Sequence, residues 1–492
     1  MKTPILGSSY IARSVNAADN RMVNLFPEVV PEGGKEPAFL NRCPGLLFLA
    51  TVGTGPIRGL WTNATEYLYV VSGTKFYRVS VYTYTATELG TMDNTYGNQV
   101  SIADNGSSLF LANVDTAYNY NYLTNTFTDV SGAANFPGAV TVDYLEGFFL
   151  FNQPGSSIIW WSTDGLTFDA TDFRLAVSSP DIVNSIAVNG DELWVFGNTS
   201  IEVWYYNQNP TTPFGPVPGS YTTTIGSVSD YAVSKMDNSL YWLGQSAQGG
   251  LMVYRSEGYT GKRISTHSVE WQLQQYVISP VVAQYTLSYS YQQDGHSFFV
   301  LVFPNEDTTW VYDASTQAWH ERCGFVGGEF TRHRGNCQAF WRGSNGVTGG
   351  SMTVIGDYAN GNIYSLDLDT YEDNGETQKW LRSWRALPPG QNNLTRTAHH
   401  SLQLDCEAGV GTVGTGDPEI MLRWSDDGGH TWSNELTRAM GIGSIGEYNK
   451  RVIWRRLGMT MKLRDRVYEI SGSDPVKIAI MGAELIMSPT SA

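Results

Sequence analysis

The sequence is poor in the residues that most often carry chemistry. Only 16% of its 492 residues are charged, against roughly 25% in an average globular chain. It has 7 histidines, and its 4 cysteines form no CxxC pair and have no histidine at metal-ligand spacing. These are Cys43, Cys323, Cys337 and Cys406. We therefore expect free thiols in a reducing compartment, no metal site and no cofactor.

Long apolar runs are also missing. No stretch of about 20 apolar residues is present, so we expect no helix that spans a membrane. The first residues, from Met1 to Gly7, contain no apolar run long enough for a signal peptide, so we expect a chain that is not secreted. Disorder is not expected either, because the chain has ample apolar surface to bury.

Familiar catalytic motifs are absent. The sequence has no GxSxG, HExxH, Walker loop or GxGxxG followed by a helix. His399 and His400 are neighbours, which would face opposite sides of a strand and could not bind one metal ion together. No pair of carboxylates can be singled out for acid–base chemistry. We therefore predict a protein that is not an enzyme, with no catalytic residue and no metal ligand.

The formal net charge of −16 argues against a protein that binds nucleic acid by neutralising phosphates. The charge is unevenly distributed. From Lys379 to the end there are 14 Lys and Arg against 12 Asp and Glu, a net of +2, so the preceding residues carry −18. This asymmetry indicates two regions with different neighbours.

Aromatic residues and glycine are abundant. Aromatics make up 13% of the chain, which also contains 51 glycines, and this composition favours β-sheet with frequent turns. Short aromatic-rich strands recur from Ile57 onward at a spacing of roughly 40 to 60 residues. Six are clear, and a weaker seventh lies at Gly361–Leu366. The clear ones are Glu66–Val71, Ser108–Ala112, Gly147–Phe151, Glu192–Phe196, Ser239–Leu243 and Ser297–Phe303.

Strand, turn and strand at this period are typical of propeller blades. The strands are apolar at consecutive positions, which indicates cover on both faces, as between stacked blades. Stacked β-sandwiches would also give regular short strands. We predict an all-β fold, a β-propeller of six or seven blades with an extended N-terminal arm and a C-terminal β-sandwich-like domain.

Three regions follow from this reading. Residues 1–56 are rich in proline and show no period, so we expect an extended arm that packs on other elements and could lie against a neighbouring subunit. Residues 57–388 form the propeller, with a short inserted helical segment near 267–280. After Pro388, residues 389–492 read as a separate β domain.

The most specific motif is the Asp box, Ser-x-Asp-x-Gly-x-Thr-Trp, in the C-terminal region. Its residues are Ser425, Asp427, Gly429, Thr431 and Trp432. In such a hairpin the Asp accepts backbone amides, the Gly takes the positive-φ position and the Trp packs beneath. A shortened relative lies at 162–168. We interpret both as structural turns.

Asp boxes also occur in sialidases and other glycan-active propellers, where the box lies away from the active centre. A sialidase needs an arginine trio, a Tyr nucleophile and an acidic helper. Single arginines such as Arg58, Arg174 and Arg255 are present, but nothing in the sequence groups them.

A basic cluster follows the Asp box and interleaves arginine with tryptophan. It contains Arg451, Trp454, Arg455, Arg456, Arg464 and Arg466. Arg and Trp are favoured anchors of protein interfaces, so we take the cluster as a candidate protein interface. A solvated strand face and a nucleic-acid site remain open, although nearby acidic residues weaken the second.

Four groups of segments occur in order along most of the chain. They are Asn16–Pro27 with Leu40–Leu46; Pro56–Leu60; Asp294–Pro304 with Thr309–Asp313 and Trp319–Arg322; and Arg423–Asn434 with Tyr448, Arg451 and Arg455–Gly458. Together they resemble the packaged-DNA stabilisation proteins, which form the tail hub or nozzle of short-tailed bacteriophages.

The resemblance implies a structural tail component that forms a hexameric ring below the portal and its adaptor. The ring would extend the DNA channel, help retain packaged DNA and let the duplex pass through its lumen without specific binding. The tail needle and fibre or spike proteins would be further partners. The protein would reside in the virion after assembly in the host cytoplasm. The family has no catalytic residues to carry over.

Charge suits that role, because an acidic lumen would repel DNA over a Debye length of about 8 Å. The near-neutral, arginine-bearing C-terminal region could then dock on neighbouring proteins. Two other classes stay open: a glycan-binding or glycan-cleaving propeller, such as a receptor-binding tail protein, and a cellular scaffold propeller.

Overall fold

The computed structural model describes residues 1–490 apart from 15–17, 64–65, 94–98, 180, 221–224, 247, 249, 277–284, 343–350, 389–395, 411–416, 442–447 and 461–465. Within these residues the chain is almost entirely β-strand, as predicted. Its helices are His267–Tyr276 and a single 3-10 turn at Pro304–Glu306.

Seven antiparallel sheets of the described residues form the blades of a propeller. The innermost strands contact one another in order, and that of blade 7 contacts that of blade 1, which closes the ring. The predicted propeller is therefore confirmed, with seven blades. From the axis outward, the strands of the first three blades are Ile57–Thr62, Tyr67–Ser72, Lys75–Ser80 and Ala86–Thr91 in blade 1; Ser101–Asp104, Ser108–Asn113, Thr116–Asn121 and Thr126–Asp129 in blade 2; and Val142–Leu145, Phe148–Asn152, Ile158–Ser162 and Phe173–Leu175 in blade 3. Those of the next two are Val183–Asn189, Glu192–Gly197, Ile201–Tyr206 and Phe214–Pro216 in blade 4; and Val233–Met236, Ser239–Ser246, Leu251–Glu257 and Thr260–Arg263 in blade 5, where Ile225–Ser227 also pairs with the second strand. Those of the last two are Leu287–Gln293, His296–Phe303, Thr308–Asp313 and Ala318–Glu321 in blade 6; and Gly335–Trp341, Met352–Asp357, Asn362–Asp367 and Gly45–Thr51 in blade 7.

The second strand of each blade explains the runs of consecutive apolar residues. Ser108–Asn113 and His296–Phe303 are buried at every position. Each of their faces packs against a neighbouring blade, so both the odd and the even side chains must be apolar. Between blades 2 and 3, for example, the rings of Phe110 and Phe149, both in second strands, have centroids 5.6 Å apart.

Blade 7 is completed by a strand from the beginning of the chain. Gly45–Thr51 pairs antiparallel with Asn362–Asp367 and supplies the fourth strand of the blade. The core around this closing strand joins Ala50, Leu60 and Val354, and so ties the closing strand to blades 1 and 7. Closure of the ring therefore joins residues about 300 positions apart in the chain.

The rest of the N-terminal segment packs on other elements, as predicted, and its contact with a neighbouring subunit stays a prediction. Met22–Val23 lies between Ala318–Glu321 of blade 6 and Trp380–Arg385, in a sheet that continues to the C-terminal region. Leu25–Val29 and Ala38–Arg42 pair with each other in a second sheet. Backbone groups of a proline-rich segment can satisfy their hydrogen bonds in this way.

The C-terminal region is a sandwich of two sheets. One extends from blade 6 through Met22–Val23 to Trp380–Arg385, Val467–Gly472, Glu419–Ser425 and Leu436–Ala439. The other consists, in spatial order, of Leu25–Val29, Ala38–Arg42, Ala479–Pro489, Thr397–Cys406 and Val452–Arg455. Trp384 and Ile470 from the first sheet share one core with Leu402 and Trp454 from the second. The predicted sandwich-like domain is confirmed.

The boundaries at residues 56 and 388 stay a prediction. Strands of the N-terminal segment belong to blade 7 and to both sandwich sheets, and residues 389–395 lie outside the described part. The helix His267–Tyr276 falls in the segment 267–280 where a helix is expected, of which 277–280 are not described. Two small hairpins are formed by Cys323–Val326 with Glu329–Arg332 and by Glu372–Asp373 with Glu376–Thr377. Near the N-terminus, Tyr10–Ile11 pairs with Asp19–Asn20.

Candidate functional surfaces

The Asp box in the sandwich is a hairpin turn organised by one carboxylate. Asp427 Oδ1 accepts the backbone N–H groups of His430 at 3.0 Å and Thr431 at 2.9 Å, and its Oδ2 accepts the Thr431 hydroxyl at 2.6 Å. Ser425 Oγ donates to Asp427 at 2.6 Å and accepts the N–H of Gly429 at 2.8 Å. These donors hold the pKa of Asp427 well below its usual range, because they favour the charged form.

The remaining residues of the box have the roles that the motif requires. Gly429 has a φ of +102°, in a region that residues with a Cβ rarely adopt. Trp432 is half-buried, and the Arg423 guanidinium lies 4.7 Å from its ring centroid. The whole carboxylate is used inside the turn, which is the arrangement of a structural hairpin.

The shortened box in blade 3 repeats this geometry. Asp164 accepts the N–H groups of Leu166 at 2.8 Å and Thr167 at 2.9 Å, and Ser162 Oγ accepts the N–H of Gly165 at 3.0 Å. The pKa of Asp164 is lowered, although burial acts in the opposite direction. The two boxes occur in different domains, so the motif here belongs to the turn and not to one site.

The basic cluster is divided by the structure. Arg451, Arg455 and Arg456 are exposed on or next to the strand Val452–Arg455. None of their three guanidinium groups has a hydrogen-bond or ion-pair partner among the described residues. Arg464 lies outside the described residues. These three exposed arginines keep the character of a candidate interface, which stays a prediction.

Trp454 and Arg466 are corrections to the predicted interface. Trp454 is fully buried and donates its indole N–H to the carbonyl of Leu436 at 2.8 Å. Arg466 is 1% exposed and binds Asp426 through Nε at 2.7 Å and Nη2 at 2.9 Å. Side chains alternate along a strand, so Trp454 points into the core while its neighbour Arg455 points outward.

Arg466 instead holds the Asp-box hairpin against the sandwich. Its guanidinium lies 5.0 Å from the Trp424 ring and 5.9 Å from the Tyr468 ring, and it also donates to the carbonyls of Leu457 and Met459. Its carboxylate partner, Asp426, occupies a variable position of the box. No local spacing rule connects residues 40 positions apart, so the sequence reading missed this pair.

The arginines considered for a glycan site lie in different blades. Arg58 in blade 1 donates to the carbonyl of Gly73 at 3.0 Å, and Arg174 in blade 3 donates to that of Phe214 at 3.0 Å. Arg255 in blade 5 packs on the ring of Tyr241 at 5.7 Å. Each is therefore engaged where it lies. Among the described residues, no group of three or more His, Cys, Asp or Glu side chains is placed to hold a metal ion.

A narrow cavity of about 380 Å³ runs along the propeller axis. It is lined by the innermost strands, and its walls are joined by short hydrogen bonds. Asn336 Nδ2 donates to the carbonyl of Ile57 at 2.8 Å, and Ser234 and Ser288 share a bond of 2.8 Å between hydroxyls. The volume corresponds to roughly a dozen water molecules.

One face of the propeller carries a series of carboxylates. The turns between the first and second strands all lie on this face, because the strands of every blade alternate in direction. In blades 1 to 6 these turns contain Glu66, Asp104, Glu146, Asp191, Asp237 and Asp294, all exposed except the half-buried Asp104. In the corresponding turn of blade 7, Arg342 is exposed and residues 343–350 are not described. We call this surface the acidic face.

The backbone preferences of hairpin turns explain only some of the carboxylates on the acidic face. Asp237 and Asp294 have φ values near +50°, and Asp is one of the residues preferred in such tight hairpin turns. Glu146 also has a φ of +50°, followed by Gly147, although Glu is not favoured in this conformation. A carboxylate is thus kept at this turn against the local preference of the backbone.

Comparisons with known proteins identify relatives for both domains. The family model described as "Bacteriophage P22 Gp10, beta-propeller" matches residues 1–371, and the one described as "Bacteriophage P22 Gp10, beta-sandwich" matches residues 379–488. Together they confirm the resemblance found in the sequence and the order of the two domains. No helix of the described residues is both long and apolar enough to cross a membrane.

Other comparisons add little. No curated protein matches the chain. Among solved structures 714 chains match. One, from a structure titled "Crystal Structure of Mitotic Checkpoint Complex", is 12% identical, covers 70% of this chain and 98% of its own, and has a TM-score of 0.40. A likeness this remote carries no argument about function.

Proposed function

This chain belongs to the bacteriophage P22 Gp10 family and is thus a structural protein of a phage tail and of the virion, and from this premise we propose that it forms the hub or nozzle of a short tail. A hexameric ring of copies extends the DNA channel below the portal and adaptor. The ring helps to retain packaged DNA and lets it pass during ejection. A tail needle and fibre or spike proteins bind to it, and assembly takes place in the host cytoplasm.

The DNA passage in this proposal lies between copies and not along the axis of one propeller. The axial cavity has a volume of only about 380 Å³. The major groove of a B-form duplex is by itself about 12 Å wide, so a duplex does not fit there. A ring of several copies is needed to enclose a passage of sufficient width.

The acidic face is the observation that carries the proposal, and we assign it to the wall of the passage. A channel that lets DNA slide must avoid phosphate contacts, because each such contact adds salt-dependent affinity. Carboxylates repeated around one face repel the duplex within a Debye length of about 8 Å at physiological salt. The unfavoured backbone at Glu146 supports a function for its charge beyond the turn itself.

Charge reversal on this face tests the assignment. The double variant Glu146→Lys/Asp191→Lys should slow DNA ejection from phage particles at low salt, because each new lysine can bind a phosphate. The delay should shrink as salt rises, since log affinity falls by about 0.9 per contact for each unit of log salt. Ejection is measured by the fluorescence of a dye that binds released DNA.

The matched control is Glu306→Lys/Glu329→Lys. Both glutamates are exposed and lie outside the acidic face, Glu306 in the turn between the second and third strands of blade 6. This control changes the net charge equally and should leave ejection unchanged. Equal delays in the two double variants, or none in either, would remove the acidic face from the passage wall.

The sandwich is the docking part of the proposal. Its exposed arginines, Arg451, Arg455 and Arg456, stand apart from the acidic face and belong to the region with a net charge of +2. Arginine is well suited to contacts between proteins because its planar group binds carboxylates through two parallel bonds. Neighbouring copies or other tail proteins are the expected partners.

We propose no enzymatic activity for the chain. Both Asp boxes use their carboxylates inside hairpins, and Arg58, Arg174 and Arg255 are bound in separate blades. A glycan-cleaving propeller would need these groups to converge on a substrate. Incubation of host cells with the purified chain should leave their surface polysaccharide intact; its depletion would favour the glycan-cleaving alternative.

A further inference from the structure

A cavity of about 740 Å³ opens on the side of the propeller opposite the acidic face. It is built from turns between second and third strands, which lie at the other end of the blades from the acidic turns. Blades 2 to 5 contribute Val114, Pro154, Asn198 and Gly250, and the helix contributes Gln274. The volume falls within the range of roughly 300–1,000 Å³ typical of binding pockets.

The lining of this cavity combines apolar walls with one charge. Val140, Val183, Val228 and Leu251 are among the residues that form the walls. Among the described lining residues Asp230 is the one with a charged side chain. Binding sites commonly have this composition, in which apolar walls supply contact area and a polar group fixes orientation.

Asp230 lies where this cavity meets the axial cavity, because it lines both. Within the described part of the chain its carboxylate has no hydrogen-bond or ion-pair partner. Burial alone raises its pKa to about 6, so the group is mostly ionised at neutral pH. A partly desolvated carboxylate without a partner is unfavourable in the isolated chain, and a cation that reaches it would relieve this. We call this feature the Asp230 cavity.

The sandwich carries a complementary surface, which we call the basic edge and define as Arg451, Arg455, Arg456 and Ile486. Val452–Arg455 is the edge strand of its sheet. Arg455 and Ile486 oppose the same residue of the strand between them, and Ile486 is 61% exposed. The basic edge thus offers guanidinium groups that have no partner in the described part of the chain, on the same face as an exposed aliphatic side chain.

The two surfaces belong to different parts of the molecule. The sandwich continues outward from the outermost strand of blade 6, whereas the Asp230 cavity lies over blades 2 to 5. Two different surfaces that complement each other generate head-to-tail contacts between copies. Such contacts close into rings when the rotation between copies permits.

We infer that the basic edge of one copy inserts an arginine into the Asp230 cavity of the next copy. The guanidinium meets the carboxylate of Asp230, and the aliphatic part of the edge packs against the valine and leucine walls. The contact rests on the proposed function, because it supplies the repeated interface of the proposed ring.

Two full-length variants with complementary defects test the contact. Asp230→Lys removes the acceptor but keeps the basic edge, and Arg455→Gln/Arg456→Gln removes the donor but keeps the cavity. Wild-type chain should self-associate with rising concentration in sedimentation velocity. Each variant alone should associate at least roughly 30-fold more weakly, as expected for loss of a buried charge pair. An equimolar mixture should form dimers that grow no further, since only one intact contact remains.

Glu306→Lys is the control, because this glutamate is exposed and does not line the cavity. It should associate like wild type. Asp230→Asn keeps the shape of the side chain and should also weaken association. Weaker association in both variants at position 230 would show that the loss does not come from misfolding of Asp230→Lys. Circular dichroism verifies the fold of each chain.

The contact is refuted if the wild-type chain stays monomeric, if the variants associate like wild type, or if their mixture stays monomeric. Binding of another tail protein in the cavity without association of copies refutes it as well. Rings seen in tails by electron microscopy would in those cases leave the proposed function standing. Mixed dimers without rings in the tail would support the contact and refute the ring.

Discussion

Replacement of Arg42 by lysine should loosen the junction between the propeller and the sandwich. Arg42 is 4% exposed, and its guanidinium donates to five acceptors. Two belong to Gln378 and one is the carbonyl of Tyr371 at 2.9 Å; the others are the carbonyls of Asp474 at 2.6 Å and Val476 at 2.9 Å. One side chain thus joins a strand of the N-terminal segment to both domains.

The magnitude follows from counting acceptors. A lysine ammonium has three donors, so at least two of the five acceptors lose their partner. Each buried acceptor left without a donor costs about 1–3 kcal/mol. We therefore expect Arg42→Lys to lower the free energy of unfolding by about 2–6 kcal/mol, even though the charge is kept. Arg42→Met should cost a similar amount, because it abolishes all five bonds but also removes the desolvation of the charge.

Urea unfolding followed by tryptophan fluorescence measures the change, and limited proteolysis reports whether the two domains separate. Arg455→Lys is the control: that arginine is exposed, so its replacement should change stability by less than about 0.5 kcal/mol. If Arg42→Lys is as stable as the wild type, the five hydrogen bonds do not hold the junction.

Four further outcomes are expected. Deletion of residues 1–45 should unfold the sandwich and not merely detach an arm, because it removes Met22–Val23, Leu25–Val29 and Ala38–Arg42 from two sheets; proteolysis and circular dichroism would show this. Glu146→Asn should raise the free energy of unfolding by about 0.5–1 kcal/mol in urea titrations, because Asn tolerates positive φ better. Asp427→Ala should lower it by about 1–2 kcal/mol, because the hairpin loses its central acceptor. His320→Phe should reduce the loss of stability in acid. Burial lowers the pKa of His320 to about 3, so between pH 6.5 and about 3 the unfolded state binds a proton that the folded state does not. This difference lowers the free energy of unfolding by up to about 1.4 kcal/mol per pH unit, and the variant lacks it.

Each of these expectations has a contrary result. A truncated chain that keeps the sandwich folded would mean that the N-terminal strands are dispensable. A loss of stability in Glu146→Asn would mean that the glutamate makes contacts that outweigh its backbone strain. An unchanged acid limb in His320→Phe would show that other groups determine acid unfolding, such as the buried His333 and His399, whose pKa values are also lowered. A fully stable Asp427→Ala would make the box dispensable.

The propeller was predictable because its signal is local. Each blade buries its middle strands on both faces, which produces consecutive apolar residues such as those in His296–Phe303. Turns with Asp, Asn and Gly between strands are equally local, since only a few residue types accept the required backbone. The six clear repeats are the second strands of blades 1 to 6, whereas the weaker seventh, Gly361–Leu366, corresponds to the third strand of blade 7, Asn362–Asp367.

The N-terminal segment and the basic cluster show what short-range sequence patterns do not predict, namely strand partners and the burial of single side chains. Proline and the absence of a period predict an arm at residues 1–56 that packs on other elements, but they do not identify those elements, because partners of its strands lie hundreds of residues away. Trp454 and Arg466 belong to an arginine-rich stretch that reads as surface. Burial of an arginine becomes favourable only with partners such as Asp426 and the ring of Trp424, which the fold brings from a distant strand.

Residue types at short spacing are sufficient to predict the all-β class, the propeller with a sandwich, the turn geometry of the Asp box and the family resemblance. The fold was needed to learn which strand closes blade 7, which arginines remain exposed and that carboxylates collect on one face. It was also needed to find that Asp230 lies beside a cavity with no partner for its carboxylate among the described residues. Burial, charge pairing and sheet closure depend on contacts between residues far apart in the chain, and the spacing of residue types along the chain does not predict which distant residues meet.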